Sequence, residues 1–263
     1  MAGAGTGIAR SVDDGFVVHC QRDGTEYWRL VKACIDENID QGALIRGFPE
    51  MPDIPIDRNG IRAVLKPIVF NNPKRMVFRL EWEGRVFILK RAFMGTIGLR
   101  RVLPWVMGTT YFTRIMKLVD KAVRNGCRAT QGYCLVGERW LSALRQEVWV
   151  LLEYVEGRPF ATAADVAPRK QAFVDAVEDL LRHGLTLDDL VPGNFLDDGE
   201  KVRAIDISCR PFTTLQSAKM RMKMNARYGL NLPMRKKREA VLAFVLGLRY
   251  RMRKALGGEG LGD

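Results

Sequence analysis

The sequence has few of the residues from which metal clusters and disulfide scaffolds are built. It contains only two histidines, His19 and His183, and its five cysteines show no Cys-x-x-Cys spacing. Structural zinc sites usually place cysteine and histidine ligands at short, regular spacings, so we expect no zinc site. An odd number of cysteines also argues against a disulfide framework and indicates reduced thiols in a cytosol.

The sequence also lacks a long apolar run. The longest, residues 240–248, is far shorter than the ~18 residues that a membrane-spanning helix requires. The first 15 residues lack the apolar centre of a signal peptide. We therefore expect a cytoplasmic protein that is soluble or bound peripherally to a membrane.

Positive charge is abundant. The 263 residues include 42 Lys or Arg against 30 Asp or Glu, a formal net charge of +12. Twelve of the basic residues and only three acids lie in residues 211–263, around the apolar segment 240–246. An anionic partner is indicated: a nucleotide, a nucleic acid or an anionic membrane surface. Without a regular aromatic platform among the cations, we do not expect nucleic acid. A packed final helix with a solvated basic face would show the same pattern.

Three polar residues in residues 183–208 suggest a catalytic site. Asp189 and Asn194 are five positions apart, and Asp206 follows a hairpin whose turn is Asp-Asp-Gly at residues 197–199. A hairpin brings the residue before its first strand close to the residue after its second. Asn194 and Asp206 could therefore bind one cation, with the Asp189 carboxylate beside them, as phosphoryl transfer requires. The alternative is a polar loop with its carboxylates in solvent.

A strand meander precedes this stretch. Alternating apolar residues predict strands at 64–70, 76–82 and 85–90, and the last of them carries Lys90. A helix is predicted at 111–124, where Asp120 is the only acid and no glutamate occurs. We expect a loop at 47–60, and either a buried connector or a lipid-contacting surface at 91–108.

Two further elements complete the pattern. Residues 147–157 predict a strand followed by a Gly-containing connection, and residues 168–182 predict a helix with Pro168 near its first turn. The three glycines in residues 1–7 follow no strand, so we interpret them as a disordered tail.

These motifs resemble those of protein kinase-like enzymes. Residues 189–194 fit the loop Asp-Leu-x-Pro-x-Asn, and Asp206-Ile207-Ser208 takes the place of the metal-binding Asp-Phe-Gly. The strand ending at Lys90 is similar to the Val-Ala-Ile-Lys strand of kinases. Together with His183-Gly184 and the Ala-Arg-Tyr-Gly at 226–229, the pattern is most similar to the lipopolysaccharide core heptose kinases, in particular the heptose(II) kinase branch.

The resemblance implies an α+β, protein kinase-like fold of two lobes. An antiparallel sheet lobe with an N-terminal extension would occupy residues 1–155. A mainly helical catalytic lobe with a basic tail would occupy residues 156–263. The implied activity is ATP- and Mg²⁺-dependent phosphorylation of a heptose of the lipopolysaccharide inner core at the cytoplasmic face of the inner membrane.

The resemblance also implies roles for individual residues. Asp189 would be the catalytic base, Asn194 and Asp206 the Mg²⁺ ligands, and Lys90 the phosphate ligand. The backbone from Glu153 to Val155 would contact adenine.

Two departures leave other functions open. Val191 stands where related loops carry Lys or His, and the helix at 111–124 lacks the glutamate that pairs with the strand lysine. A third departure, the lack of a glycine-rich loop between the first two strands, is one that the resemblance to this family accommodates. The alternatives are a kinase-like phosphotransferase with a protein or small-molecule hydroxyl acceptor and a catalytically dead, membrane-binding pseudokinase.

Overall fold

The computed structural model describes residues 8–21, 24–37, 52–72, 75–95, 110–142, 145–207, 212–234 and 237–255. Contacts divide the chain into two compact units. The first comprises Met1–Lys121 and Gln131–Tyr154, and the second comprises Ala122–Thr130 and Val155–Asp263. The sequence-based division after residue 155 would instead assign residues 122–130 to the first lobe.

An antiparallel sheet of eight strands forms the first unit, in the order β1-β2-β7-β8-β6-β5-β4-β3. The strands are β1 (Ile8–Asp13), β2 (Phe16–Gln21), β3 (Ile54–Arg58), β4 (Ile61–Asn72), β5 (Arg75–Trp82), β6 (Arg85–Gly95), β7 (Tyr133–Ser142) and β8 (Arg145–Glu153). Two helices, α1 (Thr25–Asp36) and α2 (Tyr111–Arg124), accompany them; the last three residues of α2 belong to the second unit.

Apolar and polar residues alternate along these strands, so that one face of each strand can be buried. In β5 the side chains of Met76, Phe78, Leu80 and Trp82 are buried, and those between them are more exposed. Side chains point to opposite faces along a strand, so one face of β5 packs into the core. Glu83 and Gly84, both with positive φ, close the hairpin to β6 as a two-residue turn requires.

The meander is longer than the sequence predicts. Ile54–Arg58 lies in a stretch predicted as a loop, yet it pairs with β4 from Ile54↔Leu65 to Arg58↔Ile61. Pro55 within it argues against a strand, but this strand tolerates a proline because it lies at the edge of the sheet. Strand β6 also continues to Gly95, so Lys90 is inside a strand. The predicted N-terminal tail and most of the 91–108 connector lie outside the described residues.

The second unit is mainly helical. Its helices are α3 (Lys170–Arg182), α4 (Thr214–Tyr228) and α5 (Lys237–Ala255), with 3₁₀ turns at Ala164–Arg169 and Pro192–Asn194. A small sheet has the order β11-β10-β9, with β9 at Arg158–Pro159, β10 at Phe195–Asp197 and β11 at Val202–Ala204. The helix predicted from residue 168 begins at Lys170, and Pro168 lies in the 3₁₀ turn just before it.

A buried arginine joins the three helices. The Arg221 side chain on α4 is 3% exposed and makes a two-pronged ion pair with Glu178 on α3. It also donates to the Pro233 carbonyl at 2.9 Å and lies 3.8 Å from Glu239 on α5. Removing one partner of such a buried pair is costly, so the network fixes how the helices pack.

The predicted α+β class is confirmed. An antiparallel sheet lobe precedes a mainly helical lobe, as expected for a protein kinase-like fold. Among the helices that the structure describes, none has the length and apolar content needed to cross a membrane.

Candidate active site

The loop after α3 exposes two adjacent carboxylates. Its apolar residues Leu185, Leu187 and Leu190 are buried, whereas Asp188 and Asp189 are exposed. The buried leucines anchor the loop to the core of the second unit. Both carboxylates therefore lie at the surface, where a substrate can reach them.

Asn194 connects this loop to the hairpin. Its side-chain Nδ2 donates to the Asp189 carbonyl at 3.1 Å, and its own carbonyl accepts from the Ile205 amide at 2.9 Å. The first bond takes up the amide nitrogen, so the Oδ1 atom of Asn194 is the side-chain atom left to accept or to coordinate. The register Phe195↔Ala204 places Asn194 opposite Ile205, beside Asp206. The hairpin thus brings two of the predicted ligands to one end of β10 and β11.

Asp206 has a strained backbone. It is exposed and has a φ of 75°, in the left-handed region that non-glycine residues seldom occupy. Aspartate tolerates this region better than most residues, but such conformations persist only where the surroundings enforce them, often at functional sites. The outlier supports a functional role for Asp206.

The C-terminal end of α4 holds the loop in place. The Tyr228 hydroxyl and the Arg227 Nη1 atom both donate to the Leu190 carbonyl, the latter at 3.3 Å. The Tyr228 ring packs on Phe173, and burial raises the pKa of its hydroxyl. We call this pair of bonds the Leu190 clamp. The Ala-Arg-Tyr-Gly motif did not predict this contact, because Leu190 lies 37 and 38 positions before Arg227 and Tyr228.

In the first unit, Lys90 lies in the middle of the sheet. It pairs with Val77 on β5 and with Val150 on β8, and Val150 pairs with Val136 on β7. Glu138, two positions beyond Val136, therefore shares the sheet face of Lys90.

Glu138 attaches the start of α2 to that face. It accepts a hydrogen bond from the Thr110 hydroxyl just before the helix. Burial raises the pKa of Glu138 to about 7, although the Thr110 bond acts in the opposite direction. On α2 itself, Asp120 is buried.

Some backbone groups of the segment predicted to contact adenine, Glu153 to Val155, already form hydrogen bonds within the protein. The Glu153 amide donates to the Gly132 carbonyl at 3.0 Å, and the Glu153 carbonyl accepts from Gln131 Nε2 at 2.7 Å. The Glu153 amide has therefore used its one hydrogen, while the Glu153 carbonyl has a second lone pair that can accept another hydrogen bond. Val155, buried in the second unit, follows two positions later.

A second cluster of possible ligands has a structural role. Cys127, Asp179 and His183 place ligand atoms within 4.8 Å of one another. Both His183 ring nitrogens face backbone carbonyls, of Asp179 at 2.9 Å and Asn125 at 3.0 Å. Asp179 accepts from the amides of residues 128 and 129, and burial raises the pKa of the Cys127 thiol to about 12. The cluster therefore braces the end of α3 and offers no good ligand for a metal.

The predicted site residues thus fall into two groups. Asp189, Asn194 and Asp206 lie together on one loop and hairpin of the second unit, with Val155 elsewhere in that unit. Lys90 and Glu153 belong to the first unit. Fold and hairpin together are those of the kinase-like class.

The comparisons with known proteins agree with this class. The family described as "Lipopolysaccharide core biosynthesis protein (WaaY)" matches residues 85–258, and the chain belongs to this family. The lipopolysaccharide core heptose(II) kinase WaaY of Escherichia coli (strain K12) is 24% identical over 148 residues, which are 56% of this chain and 64% of that protein. The match thus spans less than two-thirds of the relative's length.

A solved structure, that of vaccinia related kinase 3, is 17% identical. The likeness covers 64% of this chain and 54% of the other, with a TM-score of 0.31.

Proposed function

We propose that the protein is an ATP- and Mg²⁺-dependent kinase that phosphorylates a heptose of the lipopolysaccharide inner core. The observation that carries the proposal is the hairpin that brings Asn194 and Asp206 together while the Asn194 amide bonds the backbone of Asp189. Membership of the family supports the acceptor class.

The residues at the hairpin fit a magnesium ion. Mg²⁺ prefers hard oxygen ligands, often one or two protein groups together with water and substrate phosphates. The Asn194 Oδ1 atom and the exposed Asp206 carboxylate supply such oxygens. When bound, the ion would neutralise charge on the phosphates of ATP.

The remaining residues have complementary proposed roles. Lys90 binds phosphate oxygens, and the backbone from Glu153 to Val155 contacts adenine, chiefly through Val155 because the Glu153 amide is already bonded. Asp189 orients the acceptor hydroxyl and accepts its proton as the oxygen bonds to the γ-phosphorus, while the bond from that phosphorus to the departing ADP breaks.

Val191 favours a second candidate, a kinase-like protein without turnover. It is 37% exposed in the loop between Asp189 and Asn194, so an uncharged side chain stands where a cation could bind the transferred phosphate. Helix α2 also lacks a glutamate. This candidate would bind nucleotide but transfer no phosphate. Transfer of phosphate to a hydroxyl other than that of a heptose would instead indicate the broader phosphotransferase alternative.

The test of nucleotide binding is a thermal shift with Mg²⁺-ATP. At about 100 times Kd, a ligand specific for the folded state should raise Tm by roughly 5–10 °C. Asp206→Gly should abolish the Mg²⁺-dependent part of this shift, since it removes a proposed ligand. Asn231→Gly is the matched control, because Asn231 also has positive φ, at 60°, outside the site.

Glycine accepts both backbone conformations without strain, so both variants should fold. An unshifted wild type at millimolar Mg²⁺-ATP would refute nucleotide binding, and an unchanged shift in Asp206→Gly would refute the ligand assignment. The acceptor is tested separately, by transfer of labelled phosphate from ATP to core oligosaccharide carrying or lacking the heptose.

A further inference from the structure

Helix α5 presents an apolar stripe to solvent. Val241, Phe244, Val245 and Leu248 are 63%, 65%, 52% and 46% exposed. Their spacing of i, i+3, i+4 and i+7 places them on one face of the helix, over a length of about 10 Å. They are four of the thirteen large apolar side chains exposed in the described part of the chain. Such clustering, unlike single exposed residues, marks a surface for interaction.

The opposite face of α5 is fixed to the second unit. Glu239 is buried, accepts from the Ser217 hydroxyl on α4 at 2.7 Å and lies near Arg221. Gly247 lies on the same side, where an added Cβ atom would meet the end of Met222 at 3.9 Å. Because these contacts hold the inner face, the helix cannot simply rotate to bury its stripe.

Basic residues precede and follow the stripe in the sequence of α5. Lys237 and Arg238 are exposed in the first turn of α5. The sequence of α5 contains six Lys or Arg in all and one acid, the buried Glu239. A second copy of the chain seated on this face would bring like charges together, which disfavours self-association. An anionic partner complements the charge.

We propose that this face of α5 is a docking surface for an anionic lipid bilayer, with Phe244 and Leu248 inserting among the lipids and the flanking cations binding the headgroups. An apolar face bordered by Lys and Arg is the pattern of helices that lie in the membrane interface. The choice of a bilayer over an acidic protein rests on the proposed function, whose acceptor is part of a lipid-anchored molecule.

The experiment is co-sedimentation of the full chain with vesicles, without nucleotide. One set contains phosphatidylglycerol in phosphatidylcholine, and the other contains phosphatidylcholine alone. The wild type should bind the anionic vesicles, and less so as salt increases. Lys237→Gln with Arg238→Gln should weaken this binding by roughly 25-fold, since each cation near an anionic surface contributes about fivefold.

Removal of the apolar side chains tests insertion. Phe244→Ser with Leu248→Ser should lower vesicle binding by at least about tenfold, because burial of each side chain contributes on that order. The matched control is Val12→Ser, a similar change at a residue 70% exposed on β1, which should bind as the wild type does. All variants alter exposed residues, so circular dichroism should show no loss of fold.

Three results would overturn the proposal. They are no wild-type binding to anionic vesicles at low salt, equal binding to both vesicle types, and unchanged binding after Phe244→Ser with Leu248→Ser. A wild-type dimer that this double variant makes monomeric in sedimentation velocity would identify a self-interface instead. The assay needs neither ATP nor acceptor, so its failure is separate from a failure of the proposed kinase activity.

Discussion

Either of two neighbouring carboxylates, those of Asp188 and Asp189, could act as the proposed base, and a hydrogen bond to the backbone favours Asp189. Asp188 and Asp189 are both exposed, but the Asn194 amide bonds the backbone of Asp189. That bond fixes the backbone of Asp189 relative to a proposed metal ligand.

We therefore expect Asp189→Asn to lower kcat by about 10²–10⁴-fold, the usual contribution of a positioned general base. The affinity for Mg²⁺-ATP should stay nearly constant, because the carboxylate acts on the acceptor hydroxyl. Labelled phosphate transfer to core oligosaccharide measures the rate, and nucleotide titration measures the affinity.

Asp188→Asn is the matched control for this prediction, and it should retain most of the wild-type rate. If it is the inactive variant while Asp189→Asn is active, the assignment of roles along the whole loop is wrong. Circular dichroism of both variants shows whether either has lost its fold.

At the scale of elements, the Leu190 clamp links the end of α4 to the catalytic loop. Gly229, with a φ of 58°, ends α4 directly after Tyr228, so the helix stops where its last residues reach the loop. Tyr228 is then a positioning residue. It contacts the loop backbone through the Leu190 carbonyl.

Tyr228→Phe should keep the packing on Phe173 and lose the hydroxyl donor. We expect a loss of about 1 kcal/mol in the free energy of unfolding, the typical contribution of one hydrogen bond. We also expect a drop in kcat of about tenfold, that is, about 1.4 kcal/mol of barrier, with the KM for ATP unchanged. Steady-state kinetics and urea unfolding measure the two effects.

Tyr27→Phe is the control for the clamp. The Tyr27 hydroxyl accepts from Arg85 at 2.6 Å, in the first unit and outside the proposed site. Its removal should leave kcat unchanged. A Tyr228→Phe enzyme with wild-type kcat would show that the clamp does not position the loop.

At the scale of the whole molecule, two buried groups in the first unit give opposite pH dependences. Burial raises the pKa of Glu138 to about 7, so this carboxyl stays protonated in the folded state while it ionises in the unfolded chain. Its contribution to stability is therefore lost as pH rises from the ordinary 4.5 to about 7. Burial, aided by Lys117 and Arg10, lowers the pKa of His19 to about 4. Its contribution increases as pH rises from about 4 to 6.5.

Because the pH-dependent contributions of Glu138 and His19 to stability partly cancel, we compare the free energy of unfolding of a Glu138 variant with that of the wild type. Glu138→Gln keeps the shape of the side chain and an acceptor for Thr110, but cannot ionise. Relative to the wild type, its free energy of unfolding should increase with pH between 4.5 and 7, by about 1.4 kcal/mol per unit. All five tryptophans lie in residues 28–149, so their fluorescence during urea unfolding reports mainly on the first unit.

The control for the pH effect is Glu200→Gln, the same chemical change at an exposed side chain of the second unit. The tryptophan-detected free energy of unfolding of this variant should follow the wild type at each pH. A flat difference for Glu138→Gln would mean that Glu138 ionises in the folded protein as readily as in the unfolded chain.

Most of the helices and strands, and the family, could be predicted from local sequence patterns. Alternation marks β5 and β6, helical spacing marks α2, and the Asp-Asp-Gly turn marks the hairpin of β10 and β11. These signals are local, since the preference of a segment depends on residues a few positions apart. The interval from Asp189 to Asn194, followed by Asp206, also carried the resemblance to the family that residues 85–258 confirm.

Other features could not be predicted from local patterns, because they depend on contacts between distant parts of the chain. Ile54–Arg58 is a strand because it pairs with β4, although Pro55 within it argues against a strand. Sequence spacing placed Asp206 near Asn194 but could not show its left-handed backbone. The Leu190 clamp joins residues 37 and 38 positions apart, and the raised pKa of Glu138 comes from its burial in the folded chain. Which face of α5 remains in solvent likewise followed from the docking of Glu239 on α4, since packing and not local pattern selects the side that is buried.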